Sequence, residues 1–350
     1  MGFQIATFAD CMTHGYDTVI DVRAPAEFAE DHMPGAINLP VLDDAERARV
    51  GTIYKQVSAF TARKVGAALV ARNAATHIES VLSGHDGAWR PLVYCWRGGQ
   101  RSNSFASILA QIGWRVAVIE GGYRSYRGAV KTLLYDTPLA VPVILLDGDT
   151  GTAKTELLHR VAARGAQVLD LEGLANHRGS VFGAMGAQPG QKAFETALAT
   201  GLSSLDPTRP VLVEAESSKV GARVVPPMLW AAMLAAPRLR LSVPVAARAR
   251  YLVTAYGDIV EDGPRLAQVL AELKPHQGAQ RVAHWQGLAQ AGAFQDLAGE
   301  LITHHYDTRY GHQRAGAKAN ETIEIEQLDG AGLDRAADQI VQAMGRVIPQ

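Results

Sequence analysis

Short apolar runs separated by amphipathic stretches alternate along the first third of the chain, the pattern of a parallel sheet covered by helices. Tyr16 to Val22 reads as a strand, Ala24 to Asp31 as a short helix and Ala36 to Leu39 as a second strand. Asp44 to Gln56 and Thr61 to Val81 read as helices, and Pro91 to Cys95 as a compact buried strand. Phe105, Ile108, Leu109 and Ile112 recur at the spacing of one helical face, predicting a helix over Arg101 to Ile112. A strand from Val116 to Ile119 and a helix near Tyr126 to Leu134 close the block.

The proline-punctuated connection Asp136 to Pro142 places a boundary near residue 138, so the expected units are 1–138 and 139–350. The second block opens with the strand Val143 to Leu146, turns through a glycine-containing loop and enters a helix at about Ala153. Further strands are predicted at Gln167 to Leu171, Val211 to Ala215 and Leu239 to Val243. Beyond Pro264 the pattern is mostly helical, with a late strand at Thr322 to Glu326 and an amphipathic helix from Leu333 to about Val347.

Composition agrees with two cores: 350 residues, 47% hydrophobic and 20% charged. No N-terminal basic stretch precedes an apolar run, and no window approaches the roughly eighteen apolar residues of a membrane span. A cytoplasmic enzyme without membrane partners is therefore expected. Two cysteines, Cys11 and Cys95, are too few for a disulfide framework and leave no paired motif for metal or dithiol chemistry. The net charge is -1, but Ser217 to Tyr256 holds no acid while carrying Lys219, Arg223, Arg238, Arg240, Arg248 and Arg250. Such a window suits phosphates, although scattered solvated arginines give the same pattern.

Cys95 follows the strand Leu92-Val93-Tyr94, and the next helix begins near Arg101. The intervening Trp96, Arg97, Gly98, Gly99 and Gln100 would wrap backbone N–H groups around the sulfur at a helix N-terminus, which lowers a thiol's pKa. Gly98 and Gly99 permit the curvature, and Arg97 and Arg101 add positive charge. The spacing C-x5-R also fits a cysteine phosphatase, so phosphate chemistry remains a rival to sulfur transfer. Cys11 lacks such neighbours and reads as a small buried hydrophobe.

Gly148-Asp149-Thr150-Gly151-Thr152-Ala153-Lys154-Thr155 follows a buried strand and opens a helix, the setting in which a Walker A loop has meaning. Gly148, Thr150, Gly151 and Thr152 would cradle phosphate oxygens, Lys154 would reach a terminal phosphate, and Thr155 is placed to hold a magnesium ion where one is used. Ala153 stands where the pattern asks for glycine, which favours a looser diphosphate site over tight triphosphate binding. Glu214 and Glu216 follow a strand and are candidate acids near that loop. Apolar residues near Trp230 and Met233 read as a core helix or as the wall of a lipid pocket.

Asp21-Val22-Arg23-Ala24-Pro25-Ala26-Glu27-Phe28 and Asp31-His32-Met33-Pro34-Gly35-Ala36-Ile37-Asn38-Leu39-Pro40 resemble the N-terminal signature of rhodanese domains. The loop from Cys95 to Ser102 resembles that of the tRNA 2-selenouridine synthases. Also similar to that family are Leu169 to Ser180 (including His177 and Arg178), Gln188-Pro189, Val213 to Ser217 and His305-Tyr306-Asp307-Thr308-Arg309-Tyr310. The resemblance implies a rhodanese-like parallel-sheet domain followed by a P-loop NTPase-like α/β domain with a helical C-terminal part.

It further implies replacement of sulfur by selenium in wobble 2-thiouridine of tRNA. Selenophosphate is the implied donor, and geranyl diphosphate the source of a geranylated intermediate. On this reading Cys95 receives selenium as a Cys–Se species and the loop to Arg101 binds the donor's phosphate. The loop around Lys154 grips the prenyl diphosphate. His177, Arg178, Lys219, Arg223, Arg248 and Arg250 contact tRNA, and a selenophosphate-producing enzyme is a candidate partner. The alternatives are a cysteine phosphatase or sulfurtransferase fused to an ATP-binding module, and a non-catalytic tRNA-binding scaffold.

Overall fold

The computed structural model describes residues 2–180, 182–183, 185–308 and 319–347. It comprises two compact units, Met1–Pro138 with Pro189–Ser203, and Leu139–Gln188 with Ser204–Gln350. The segment 189–203, expected in the second unit, thus belongs to the first.

In the first unit, β1 (Gly2–Phe3), β2 (Thr18–Asp21), β3 (Ile37–Asn38), β4 (Pro91–Tyr94) and β5 (Ala117–Ile119) form one sheet in the order β1-β5-β4-β2-β3. Every pairing is parallel. All four residues of β4 are buried, as a central strand covered on both faces requires. The helices are α1 (Phe8–Met12), α2 (Pro25–Glu30), α3 (Asp44–Gln56), α4 (Ala59–Glu79), α5 (Gln100–Ile112) and α6 (Tyr123–Lys131). The last starts three residues earlier than its periodicity predicts, because Gly121 and Gly122 take positive φ and turn the chain straight into it. It runs on into a π-helical turn, Thr132–Asp136.

Asp21 of β2 sits opposite Tyr94 of β4, so both strands end level and their following loops lie side by side. Beyond β2, Arg23 turns back onto Asp21, with Nη2 2.6 Å from Oδ2, and donates to the Asp31 carbonyl at 2.7 Å. Its guanidinium lies 3.9 Å from the centroid of the Tyr123 ring. Both charged residues are fully buried. Such a pair holds the turn in place because each charge has nowhere else to go.

The second unit carries β6 (Val143–Gly148), β7 (Gln167–Leu169), β8 (Val211–Glu214), β11 (Arg238–Ser242) and β12 (Glu321–Glu324), in the parallel order β12-β11-β6-β8-β7. A small antiparallel ladder joins β9 (Lys219–Val220) to β10 (Arg223–Val224). α7 (Lys154–Ala163) follows β6, and α8 (Leu171–Ala175) follows β7. The predicted strand to Leu171 stops at Leu169, since the Asp170 side chain caps α8 by accepting from Gly173 N at 2.6 Å.

α9 (Gln191–Ser203) returns to the first unit, α10 is Pro227–Ala235 and α11 is Val245–Ala255. Helices from Gly257–Val260 to Phe294–Leu301 form a bundle around Trp285, Leu270, Leu297 and Leu301. The final helix, Gly330–Val347, lays Leu333, Ala337, Ile340 and Met344 against Leu157, Leu158 and Val161 of α7. Among the described residues no helix is long and apolar enough to cross a membrane.

In α9 the apolar face Phe194, Leu198 and Leu202 is buried. Glu195 ion-pairs with Arg127 and accepts from the Tyr135 hydroxyl at 2.8 Å, and Thr196 bonds the Tyr126 hydroxyl at 2.8 Å. An i, i+4, i+8 apolar stripe says that a helix needs cover, not which core supplies it.

Replacing Arg23 by Met leaves Asp21 as a buried uncompensated charge. The expected cost is about 3–5 kcal/mol, read as a fall in the urea midpoint of the first unit's transition.

Candidate functional site

The thiol of Cys95 lies where β4 turns into α5. Its residue is 3% exposed. Gly99 N donates to the sulfur at 3.3 Å, and the Ser102 hydroxyl lies 3.2 Å from it. Burial pushes this thiol up, but the Ser102 hydroxyl and the backbone N–H groups of Ser102, Arg97 and Gly99 outweigh burial and hold it below the ordinary cysteine value. Cys11 is the contrast: with Asp10 nearby and no such donors, burial raises its thiol to about 12.

The loop is held from behind. Tyr123 N donates to the Cys95 carbonyl at 2.8 Å and Arg124 N to that of Trp96 at 3.2 Å. Gly98 takes φ +63°, and a Cβ there would stand 2.5 Å from the Ile119 carbonyl oxygen. Only glycine fits so close an approach in that conformation.

Cys95, Trp96, Arg97, Gly99, Gln100 and Arg101 line a cavity of about 420 Å³ together with Glu27 and Arg47. These last two were not singled out from sequence. The Glu27 carboxylate lies 2.9 Å from both Arg101 and Arg47. Burial raises its carboxyl, but the Arg101 hydrogen bond and charge, with Arg47 and the Ala24 N–H, overcome this and keep it ionised below the usual range. Arg101 is therefore half-committed to Glu27 rather than free to face the sulfur, a correction to its simple role as added charge. The exposed Arg97 lines the same cavity.

In the second unit a cavity of about 670 Å³ opens over the phosphate loop. Thr150, Gly151, Thr152, Lys154 and Thr155 line it, with Asp147, Glu172, Arg178, Glu216, Lys219, Trp230 and Tyr251. Lys154 Nζ donates to the Gly148 carbonyl at 3.0 Å, and the Thr155 hydroxyl donates to Glu172 at 2.7 Å.

Ala153 adopts φ 61°, the left-handed conformation that glycine would take in its place. That costs an alanine about 1–2 kcal/mol. The residue is 5% exposed and belongs to the core cluster with Ile144, Leu157 and Leu241, so its methyl packs inward while the loop keeps its cradle shape. Beside this cavity lies a smaller apolar one of about 70 Å³. Thr150, Leu252 and Tyr256 line both, and Phe182, Ile259, Leu266, Phe294 and Leu297 enclose the smaller.

Residues 8–129 match the rhodanese-like domain, and residues 141–329 match the family model described as the tRNA 2-selenouridine synthase AAA domain. A tRNA 2-selenouridine synthase of Cupriavidus necator is 35% identical over 335 residues, covering 86% of this chain and 89% of that protein. One from Shewanella sediminis is 31% identical over 341 residues, covering 88% and 90%. The chain belongs to the tRNA 2-selenouridine synthase family. A further relative, from Chromohalobacter salexigens, is 39% identical over 233 residues, a match that covers 65% of this chain and 62% of that protein.

Within this member of the family, several expected tRNA contacts have other work. Arg248 is 2% exposed, so it presents no charge to a polyanion. Its Nε donates to the Thr150 carbonyl at 2.9 Å and its two terminal nitrogens grip Asp307 at 2.9 and 2.6 Å. It ties the phosphate loop to the family-like segment after His305; Arg309 and Tyr310 of that segment lie outside the described residues. His177 accepts from Gly179 N at 3.0 Å through Nδ1, and burial lowers its pKa, so it is a neutral strut of its turn.

Arg178 lines the larger cavity, paired with Asp258 at 3.0 Å and lying over Tyr256. Lys219 also lines that cavity, whereas Arg223 and the exposed Arg250 do not. The acid-free window thus breaks into separate roles instead of one surface.

The candidate acids divide similarly. Glu214 is fully buried, accepts from Leu171 N at 2.9 Å and does not line the cavity. Burial, with Asp170 and Glu172 nearby, pushes its carboxyl well above the usual range. Glu216 does line the cavity, and Glu172 and Asp147 join it there. Trp230 reaches the cavity wall, while Met233 is a core residue. Among the described residues no group of three or more His, Cys, Asp or Glu side chains is placed to hold a metal ion.

Iodoacetamide alkylation of Cys95, followed against pH, should inflect below the value of a free cysteine. Ser102→Ala removes the leading stabiliser of the thiolate and should move the inflection upward; an unchanged profile would contradict that assignment. Arg248→Met should weaken pyrophosphate binding about ten-fold, the equivalent of one lost charged hydrogen bond, as measured by calorimetry.

Proposed function

We propose that the protein replaces sulfur by selenium in 2-thiouridine of tRNA, by way of an S-geranylated base and with selenophosphate as donor. The observation that supports this best is the pairing, in one chain, of a thiol that loop N–H groups hold below its ordinary pKa with a cavity lined by the P-loop beside an apolar one. Neither a phosphatase nor a simple sulfurtransferase needs the second pair of cavities.

In this reading the loop N–H groups near Lys154 take the diphosphate, and the apolar tail lies along the Leu252 and Tyr256 wall that the larger cavity shares with the smaller apolar one. The thiocarbonyl sulfur of the base displaces diphosphate from the prenyl carbon, and Lys154 neutralises the leaving group. The alkylated sulfur then departs as geranyl thiol when the selenium of selenophosphate enters at the same carbon, and water cleaves the Se–P bond, releasing phosphate and leaving the C=Se group on the base. Selenophosphate already carries selenium at the selenide level, so this exchange needs no oxidant.

A covalent Cys95–Se species, by contrast, would force phosphorus to leave as phosphite. The Cys95 loop therefore holds the donor through its phosphoryl oxygens, with the thiolate beside the selenium.

Incubation of the protein with 2-thiouridine tRNA, geranyl diphosphate and selenophosphate, followed by nucleoside mass spectrometry, tests the proposal. Cys95→Ser should abolish 2-selenouridine while leaving the geranylated nucleoside, and wild-type levels of selenonucleoside in that variant would overturn the role of Cys95. Lys154→Ala should lower geranylation by at least about a hundred-fold, the size of effect seen when one transition-state charge partner is removed. Retention of full geranylation would remove the phosphate loop from the reaction.

A further inference from the structure

We propose that the hairpin of α3 and α4 docks the single-stranded RNA loop that carries the base to be modified; this rests on the reading that tRNA is the substrate. From Arg47 to Ile78 the chain holds no Asp or Glu, yet it carries Arg47, Arg49, Lys55, Arg63, Lys64 and Arg72. All six are exposed. Of these only Arg47 forms an ion pair among the described residues, with Glu27 at the cysteine cavity. The acids of the two helices, Asp44, Glu46 and Glu79, stand at the ends farthest along the chain from the 56–59 turn, so the stretch between carries one sign and complements a polyanion.

The same hairpin exposes large apolar side chains at its tip. Tyr54 is 62% exposed, Val57 69% and Phe60 63%, with the Lys64 ammonium 5.2 Å from the Phe60 ring centroid. Ser58 caps α4 by accepting from Thr61 N at 3.1 Å, so the tip is a defined corner. Aromatic faces interleaved with cations are what unpaired bases and their phosphates require, since every base has a face to stack. Lysines are depleted where proteins bury one another, which weighs against a protein partner.

The surface also leads to the chemistry. Arg47 lines the Cys95 cavity, and Arg47, Gly51 and Tyr54 are spaced i, i+4, i+7, on one face of α3. Seven residues of helix carry that face about 10 Å from the cavity rim to Tyr54. An RNA loop laid along it would place one base at the cavity and stack its neighbours on Tyr54 and Phe60. The acid-free window of the second unit is more broken up: Arg248 is buried, Lys219 and Arg238 line the larger cavity, and Lys219 and Arg250 are its exposed cations.

The test is fluorescence anisotropy of the full-length protein with a labelled 2-thiouridine anticodon stem–loop. Tyr54→Ala/Phe60→Ala should weaken binding at least about ten-fold, the loss of one stacked base or more, whereas Tyr54→Phe should bind as wild type. Lys55→Gln/Lys64→Gln should make the dependence of log affinity on log salt shallower by about 1.4, as for two single-strand phosphate contacts. Wild-type urea midpoints and Cys95 alkylation rates in these variants would establish that the fold and the thiol site are intact.

As a second measurement that does not depend on the variants, 5-bromouridine in the RNA loop should photo-cross-link to wild-type residues 47–72. If wild-type protein binds no RNA, the tRNA reading fails and this inference with it. If wild-type protein binds and the aromatic pair is dispensable, or cross-links map elsewhere, the inference alone is overturned. Loss of self-association in the aromatic variants with unchanged RNA affinity would also overturn it, assigning the patch to a second copy of the chain.

Discussion

Both candidate sites stand where a parallel strand turns into a helix, the point at which backbone N–H groups pass from one ladder to the next. After β4 the N–H groups of Arg97, Gly99 and Ser102 converge on the Cys95 sulfur, and after β6 Thr150, Gly151, Thr152, Lys154 and Thr155 line the larger cavity of the second unit. An N–H group that cannot continue a ladder and does not yet belong to a helix must find an acceptor, or water, or an anion. At Cys95 that obligation is met by the sulfur itself, which the N–H groups stabilise.

What keeps the two loops in shape differs. Around Cys95 the chain relies on close backbone approach, with Gly122 packed against the Cys95 carbonyl and Gly98 against that of Ile119. Around Lys154 it accepts an alanine in a left-handed conformation and recovers part of the cost by burying the methyl group. Arg248 then fixes the Thr150 carbonyl from the side and is itself fixed by Asp307. A buried arginine with both faces of its fork occupied is a brace, and its charge is spent inside the protein.

Charge therefore meant different things in different stretches. The window from Ser217 to Tyr256 lacks acids, but Lys219 and Arg238 line the larger cavity, Arg248 is a buried brace and Arg250 is exposed away from that cavity. The hairpin from Arg47 to Ile78 has the same lack of acids, and there the cations stay on the outside. Linear composition cannot separate these cases, because an arginine's exposure depends on acids brought from elsewhere; Asp307 lies 59 residues beyond Arg248.

The sequence by itself determined the main strands of both sheets, though not Gly2–Phe3 or the Lys219–Val224 ladder, several helices, the two strand-to-helix loops and the family, because these rest on local periodicity, turn chemistry and short motifs. α3 appears with the bounds its pattern predicts, and Cys95 and Lys154 sit where strand becomes helix. Only the tertiary structure decided that α9 joins the first unit, that Glu27 and Arg47 border the thiol, that Ser102 stabilises it, and that Arg248 and Glu214 face inward. Those outcomes depend on which distant side chain fills the space beside each group. A buried charge is settled by the partner it meets, and that partner comes from another part of the chain.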